Sequence, residues 1–369
     1  MKTVFVLGAG FSYGTGAPMQ SQIIKEIIRL HGERPWLFDA IKLNAFEEFL
    51  TETLSIPPDK VDLVPLEDVF TPLDRCLLDG ISFRSLDLNK VKEMRELIQY
   101  LIGVMMQELL LDAKKEHVDQ FANVLVQACS VRRNMEYKKN RDPASVVSLN
   151  WDILLDNSIN SKIQEHEHKY GRAVVDYCCH ISSYDQYNEN VKPGLEVLGM
   201  GGYNVKLLKL HGSLNWLQCP RCMRLYVDYD NKIAVQQYLL KNPCRHCNKN
   251  FVGEQPSVLE ANLIMPTFLK NLSNPQFKLI WQNAGIELAE ADKVVFIGYS
   301  LPQADFEVRQ LLSRMIRKTA TIEVITKGKE SDHAVIELMG RYKVFFGNRK
   351  ITPFYEGAAS YIQNHLNLS

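Results

Sequence analysis

The chain lacks an excess of charge of either sign and lacks any long apolar run. Its 369 residues contain 43 Lys and Arg against 43 Asp and Glu, so no overall field attracts nucleic acid or an anionic membrane. No apolar run approaches the roughly 20 residues of a membrane-spanning helix, and the first residues predict a strand rather than a signal peptide. We therefore expect a cytoplasmic protein with no membrane partner and no direct nucleic-acid binding.

The chain also lacks two common nucleotide-binding motifs. No P-loop of the form GxxxxGK[ST] is present, so a switch of the chain's activity would have to come from another chain or from self-assembly. The dehydrogenase fingerprint GxGxxG is incomplete, because Tyr13 stands where its last glycine belongs. No clear second strand with a terminal acidic residue follows it, which argues against a standard dehydrogenase.

The start of the chain nevertheless predicts a strand that runs directly into a glycine-rich loop. Residues 2–7 are typical of a buried strand, the loop runs from Gly8 to Pro18, and residues 18–30 have the apolar period of a helix. Such a unit binds a pyrophosphate, since the loop lets the backbone approach and the helix offers free N–H groups. The ligand is therefore predicted to be a nucleotide.

Short apolar runs alternate with helical periods through much of the remaining chain. After the first strand, the predicted strands cover residues 145–149, 205–210, 263–265, 294–298, 321–325 and 343–346. Predicted helices separate the later ones, at residues 275–291, 305–317, 332–341 and 358–365. This alternation predicts an α/β fold with a Rossmann-like, doubly wound parallel sheet.

Residues 35–139 interrupt the alternation with helical periods and almost no strand signal. We predict a Rossmann-like nucleotide-binding domain (1–34, 140–215 and 258–369), a helical insertion (35–139) and a zinc ribbon (216–257). A long helix in the insertion carries an apolar stripe of Leu97, Leu101, Val104, Met105 and Leu109. The stripe indicates either a surface for assembly or packing within the insertion's own bundle.

Four of the eight cysteines form two CxxC pairs. Cys219 and Cys222 are followed, after 21 intervening residues, by Cys244 and Cys247. This spacing predicts a tetrahedral Zn²⁺ site with four thiolates and no open position, hence a structural metal. His246, inside the second pair, is an alternative ligand. A zinc-ribbon nucleic-acid module is an alternative function, since the ribbon also contains Arg221, Arg224, Arg245 and Lys249.

Polar residues follow three of the predicted strands where each strand ends. Asn150 and Asp152 follow the second strand, where they could hold a ligand or cap the next helix. His211 ends a later strand, where it could be a general base near neutral pH or a structural hydrogen bonder. Gly298 and Ser300 follow a third strand. Because parallel sheets bind ligands at the carboxyl ends of their strands, these residues predict one shared cleft.

In this order the motifs resemble the sirtuin superfamily. They are Gly8-Ala9-Gly10-x-Ser12 with Gly16-x-Pro18, Asn150-x-Asp152, Leu210-His211-Gly212, the two CxxC pairs and Gly298-x-Ser300-Leu301. The resemblance implies NAD bound between a Rossmann-like domain and a small zinc-containing domain.

By this resemblance, each motif has an implied role. Asn150 and Asp152 would hold the nicotinamide ribose and nearby water, and His211 would be the base. The loop would contact the diphosphate and ribose through Gly8, Ala9, Gly10, Ser12 and Pro18. The phosphate or adenosine side would be contacted by Gly298, Ser300 and Thr326, of which Thr326 replaces a family asparagine.

The sequence departs from protein-deacylating sirtuins where those proteins guard nicotinamide and hold the acyl-lysine. Met19-Gln20-Ser21 replaces their Asp-Phe-Arg, Leu149 replaces the glutamine before the motif asparagine, and residues 263–267 replace their peptide-pairing Phe-Gly-Glu. This pattern resembles the sirtuin-like NAD hydrolases of bacterial antiphage defence. It implies an NAD⁺ hydrolase that releases nicotinamide and ADP-ribose. The alternatives are an NAD-dependent protein deacylase and a catalytically silent NAD- or ADP-ribose-binding regulatory subunit.

Unrestrained hydrolysis of NAD would harm the cell that makes the enzyme, so we expect a switched activity. By the same resemblance, such defence enzymes form homo-oligomers or act beside a separate protein, such as a ring-forming ATPase translocase or an Argonaute. The helical insertion is the predicted place of that assembly.

Overall fold

A computed structural model describes residues 1–188, 190–229, 233–366 and 368. In chain order its strands are β1 (Thr3–Leu7), β2 (Ala144–Ser148), β3 (Ala173–Asp176), β4 (Ile181–Ser183), β5 (Tyr203–Lys209), β6 (Gly212–Gln218), β7 (Leu225–Val227), β8 (Glu260–Leu263), β9 (Lys293–Ile297), β10 (Thr321–Ile325) and β11 (Ile351–Phe354).

The α-helices follow the same numbering. They are α1 (Ala9–Tyr13), α2 (Ile23–Glu33), α3 (Ala40–Glu48), α4 (Leu66–Asp79), α5 (Leu88–Leu109), α6 (Glu116–Cys129), α7 (Leu154–Tyr170), α8 (Gly194–Gly199), α9 (Ile233–Leu240), α10 (Arg245–Asn250), α11 (Pro275–Glu290), α12 (Phe306–Met315), α13 (His333–Phe346) and α14 (Gly357–Asn364). In the described parts of the chain, no helix combines the length and apolarity needed to cross a membrane.

The larger sheet has seven strands in the order β11-β10-β9-β1-β2-β5-β3. Its strand pairs are all parallel, and every residue of β1 and β2 is buried, so both faces of the sheet are covered. From β1 the chain extends to β2 on one side and later to β9 on the other. The predicted doubly wound parallel fold is confirmed, and β1 lies at the point where the strand order changes direction.

One predicted strand is wrong. Residues 343–346 form the end of α13 rather than a strand. Their aromatic and β-branched content suggested a strand, but Val335, Met339, Tyr342 and Phe346 are buried at helical spacing along α13. The last parallel strand is instead β11, which lies at the sheet's edge. An edge strand tolerates Pro353 because one of its sides has no neighbouring strand to which an N–H group must donate.

The second sheet has four strands in the order β4-β7-β6-β8. The paired cysteines lie outside its strands, in the segment between β6 and β7 and at α10. Of the predicted strand 263–265 only Leu263 is in a strand, β8, which is antiparallel to β6 and does not belong to the parallel sheet. Helices α2 to α5 share a hydrophobic core with this sheet. Tyr100 of α5 stacks on Tyr238 of α9 with ring centroids 4.4 Å apart. We call α2 to α5 together with the second sheet the small unit.

The apolar stripe of α5 lies in this shared core. Leu97, Leu101, Val104 and Met105 are each at most 9% exposed, and Leu109 is half-buried. The stripe therefore packs within the chain itself. The next helix, α6, belongs elsewhere, because its buried residues join the core of the parallel sheet.

Candidate functional site

A cleft opens at the carboxyl ends of β1, β2 and β9. The strands end in register, since Leu7 is paired with Ser148 on one side and Ile297 on the other. The loops that follow therefore meet at one edge, as ligand-binding loops do in open parallel sheets. The predicted site residues that line the cleft are Gly8, Ala9, Ser12, Pro18, Asn150, Asp152, His211, Gly298 and Ser300.

Three glycines let two of these loops touch. The Gly10 amide donates to the Gly298 carbonyl at 2.9 Å, and a Cβ on Gly8 would lie 2.7 Å from that oxygen. Gly298 has φ +62°, and a Cβ there would lie 2.3 Å from the Gly10 backbone. Part of the glycine pattern is thus explained by contact between loops. Gly10 itself does not line the cleft.

The predicted loop also contains a short helix. Helix α1 begins directly after Gly8, because Phe11 is buried against Phe121 and the Phe11 amide donates to the Gly8 carbonyl. Its first turn places Ala9 and Ser12 in the cleft.

Ser12, Asn150 and Asp152 form one hydrogen-bonded group. The Ser12 hydroxyl donates to Asp152 Oδ2 at 2.8 Å. Asn150 Nδ2 donates to the Gly8 carbonyl at 3.1 Å and to Ser12 Oγ at 3.3 Å. Asp152 Oδ1 also accepts the Leu154 amide at the start of α7. Ligand holding and helix capping, the two alternatives for this segment, are therefore compatible.

A buried lysine supports Asp152 from beneath the cleft. Lys209 is 1% exposed and donates to the Asp152 carbonyl at 2.6 Å, to Asp156 at 3.0 Å and to Ser213 at 2.7 Å. Burial raises the pKa of Asp152, whereas Lys209 and the Ser12 hydrogen bond oppose that rise. The carboxylate is thus held in a costly environment by specific partners.

His211 lies between the two sheets, in the turn that joins β5 to β6. Gly212 permits the turn, since its φ is +77° and a Cβ would lie 2.0 Å from the Asn262 carbonyl. His211 is buried, and its Nε2 has no hydrogen-bond partner among the described residues. Burial lowers the pKa of His211, which favours the neutral imidazole that a general base requires.

The cleft contains a carboxylate that the sequence analysis missed. Asp305 Oδ1 lies 3.7 Å from His211 Nε2 and 3.2 Å from Lys270 Nζ, and Tyr299 donates to Asp305 Oδ2 at 3.1 Å. The usable signal was an aspartate at a predicted helix start, seven residues after Gly298. Lys270 gave no signal, because it lies in an irregular loop.

The opposite wall of the cleft is largely apolar and, apart from the loop residues Ala17 and Met19, was also missed. It comes mainly from the small unit and adjoining loops, through Ala17, Met19, Ile23, Met106, Trp151 and Pro266. Trp151 is fixed by an Nε1–H bond of 3.1 Å to the Ile264 carbonyl. Such a surface suits a flat heteroaromatic ring.

Thr326 lies outside this cleft. Its amide donates to the Phe354 carbonyl at 2.9 Å, and its carbonyl accepts the Gly357 amide. The backbone of Thr326 therefore ties the end of β10 to that of β11, and its contact with adenosine stays a prediction.

The four paired cysteines come together in the small unit. The sulfurs of Cys219, Cys222, Cys244 and Cys247 lie within 4.8 Å of one another. The pairs Cys219–Cys247 and Cys222–Cys244 are 3.6 and 3.8 Å apart. Zn–S bonds of about 2.3 Å in a tetrahedron separate sulfurs by about 3.8 Å. The cluster can therefore hold a tetrahedral metal ion.

No protein-family model and no curated protein matches the chain. Among solved structures that match is one titled for the structural basis of sirtuin substrate affinity, 14% identical with a TM-score of 0.36, covering 98% of this chain and 90% of that one. A Sir2 mutant with a p53 peptide and NAD is 12% identical with a TM-score of 0.36, covering 98% and 90%.

A third is Sir2 with the inhibitor EX-527, 2′-O-acetyl-ADP-ribose and a deacetylated p53 peptide. It is 13% identical with a TM-score of 0.35, covering 98% of this chain and 91% of that one. These values are too low to assign a family.

Proposed function

We propose that the protein is an NAD⁺ hydrolase that cleaves the bond between nicotinamide and ribose. The observation that carries the proposal is the meeting of Ser12, Asn150, Asp152 and His211 in one cleft, although they come from distant parts of the chain. The sirtuin-like motifs assign Ser12 to the diphosphate and ribose, Asn150 and Asp152 to the nicotinamide ribose, and His211 to the base.

The chemistry needs few groups. The bond from ribose C1′ to the pyridinium nitrogen breaks with its electron pair going to nicotinamide, which leaves neutral and requires no general acid. The sugar develops oxocarbenium character, as in glycosidases. Water attacks C1′, its proton passes through His211 Nε2 to solvent, and the products are nicotinamide, ADP-ribose and a proton. Base catalysis of this kind contributes roughly 10² to 10⁴ in rate.

The surroundings of the cleft favour hydrolysis over transfer to a peptide. Met19 and Gln20 line the cleft, in the segment where deacylating sirtuins carry Asp-Phe-Arg. Gln20 is turned to Glu67 of α4 by a 2.6 Å hydrogen bond. The apolar wall beside Met106 suits the nicotinamide ring, and no acyl-lysine is needed for the reaction to proceed.

We further propose that the cysteine cluster holds a structural Zn²⁺ and that the enzyme is a switched effector of antiphage defence. Four thiolates leave a tetrahedral zinc no free position, so the metal would act on the fold alone. The need for a switch follows from the product chemistry, because continuous hydrolysis depletes a cell of NAD. A homo-oligomer or a separate partner would supply that switch.

The test is to incubate the purified protein with NAD⁺, alone and with proteins encoded beside it, and to identify the products by chromatography. We expect nicotinamide and ADP-ribose without any peptide. Asn150→Ala and His211→Ala should abolish release, whereas His333→Ala, at an exposed histidine, should not. Stoichiometric O-acetyl-ADP-ribose with an acetyl-lysine peptide would establish a deacylase. Binding of NAD⁺ without turnover under every condition would establish a regulatory subunit.

A further inference from the structure

Asp305 occupies a helix-capping position without capping the helix. It precedes α12 directly, yet its carboxylate accepts no amide hydrogen bond from the first turn. Aspartate at such a position ordinarily satisfies one of the free amides. Here both carboxylate oxygens turn to the cleft side, one towards His211 and Lys270 and the other to the Tyr299 hydroxyl.

Lys270 balances this carboxylate from inside the protein. Its side chain is 1% exposed, and Nζ contacts the carbonyls of Ala304 at 2.7 Å and Thr267 at 3.3 Å, with Glu307 also at 3.3 Å. A lysine fixed by four oxygens cannot swing into the cleft. Its charge is therefore a constant part of the surroundings of Asp305.

His211 has an unused nitrogen that faces this pair. Nε2 is buried without a hydrogen-bond partner among the described residues and lies 3.7 Å from Asp305 Oδ1. When a proton arrives at Nε2, a carboxylate at this distance becomes its counter-ion. A neutral imidazole gains much less from the same carboxylate, so the contact acts mainly after proton transfer.

We propose that Asp305 is a positioning residue that stabilises the imidazolium formed at His211, and that Lys270 limits this effect by sharing the same carboxylate oxygen. The proposal rests on the proposed function for its catalytic meaning. The charged groups that act on His211 are Asp305 and Glu307 at the start of α12 and Lys270 in the loop before α11.

The two residues should have opposite effects on the titration of His211. Asp305→Asn removes the counter-ion and should lower the pKa of His211 by about one pH unit. Lys270→Met removes a competing cation and should raise that pKa. Glu307→Gln, on the same helix and in contact with the same lysine, should lower it by a smaller amount.

The measurement is an NMR titration of the protein labelled with ¹⁵N-histidine, in which His211→Gln identifies the His211 signal. Circular dichroism establishes that each variant is folded. If Asp305→Asn does not fold, Asp305→Glu is the second variant, and it should keep the wild-type titration. An unchanged titration in Asp305→Asn, or a shift of the same sign in Asp305→Asn and Lys270→Met, overturns the proposal.

The pH dependence of nicotinamide release tests the catalytic meaning separately. The acid limb of kcat/KM should move to lower pH in Asp305→Asn and to higher pH in Lys270→Met. A purely structural role would lower activity at every pH without moving the limb, and that result would reject a role in catalysis. Shifts of the His211 pKa in opposite directions in Asp305→Asn and Lys270→Met, in a protein that never cleaves NAD⁺, would support the roles of Asp305 and Lys270. The same result would reject the proposed function.

Discussion

The two walls of the cleft are built in different ways. The parallel sheet supplies polar groups that hydrogen-bond to one another across buried strand ends, as Ser12 does with Asp152. The small unit supplies apolar surface, such as Ile23 and Met106, from helices that share a hydrophobic core with the second sheet. The difference teaches that the polar wall depends on buried hydrogen bonds, whereas the apolar wall depends on the core of the small unit, which also contains the four paired cysteines.

The largest expected effect comes from removing one ligand of the proposed zinc site. Cys222→Ser should abolish zinc binding and remove much of the apparent stabilisation, which is about 10 to 16 kcal/mol in small zinc modules. Hydrogen exchange should speed up in β6, β8 and α5, while β1, β2 and β9 stay protected. Zinc content is measured by elemental analysis and protection by mass spectrometry.

Cys179→Ser is the matched control, because Cys179 is equally half-buried but lies outside the cluster. It should retain zinc and wild-type exchange. If exchange in Cys222→Ser became faster evenly over both sheets, the two walls would form one cooperative unit. That result would contradict their separate stabilisation.

A smaller effect should follow from breaking the polar wall from beneath. Lys209→Met leaves the Asp156 carboxylate and the Asp152 carbonyl without their shared cation, and loss of one partner of a buried ion pair costs about 3 to 5 kcal/mol. Urea unfolding measures the loss, and zinc should remain bound. Lys92→Met, which breaks exposed pairs with Glu96 at 3.8 Å and with Glu260 at 3.6 Å, should cost about 0 to 1 kcal/mol. Equal costs for the two variants would contradict a special role for Lys209.

The sequence predicted the polar wall far better than the apolar one. Asn150, His211 and Gly298 could be found because each follows an apolar run that forms a parallel strand, and such strands end at one edge of the sheet. The spacing of the cysteines was equally informative, since CxxC pairs have few other uses. Both signals are local in the chain.

The apolar wall could not be predicted because its meaning depends on tertiary packing. Met106 lies on α5 beside the apolar stripe, and periodicity cannot tell a core residue from one that lines a cleft. Lys270 lies in an irregular loop, and only the fold brings it to Asp305. Residues 343–346 were misassigned for a related reason, because α13 continues into a run with strand-like composition.

The smallest effect concerns the cost of keeping Asp152 charged. Burial raises the folded-state pKa of Asp152 above its unfolded value, so ionisation opposes folding. Well below the unfolded pKa of about 3.9, the group is protonated in both states and no cost arises. As the pH rises through that value the unfolded state ionises first, and stability falls until the pH passes the folded-state pKa. In Asp152→Asn this cost of ionisation is absent, although the variant loses one accepted hydrogen bond at every pH. The stability of Asp152→Asn relative to wild type should therefore increase with pH above about 4.

Asp39→Asn gives the opposite sign and serves as the control. The Lys42 side chain lowers the pKa of Asp39, so the wild-type residue gains stability as the pH rises from the folded-state pKa to the unfolded value of about 3.9. The relative stability of Asp39→Asn should fall over that range and stay constant at higher pH. Urea unfolding at pH 3, 4, 6 and 8 compares the pH dependence of the two variants. If the difference in unfolding free energy between Asp152→Asn and wild type does not change with pH, Lys209 and Ser12 fully offset the burial of Asp152. Ionisation of Asp152 would then cost the folded protein no stability. A rising difference, together with lost nicotinamide release, would show that the sheet gives up stability to hold a charged group where the reaction needs it.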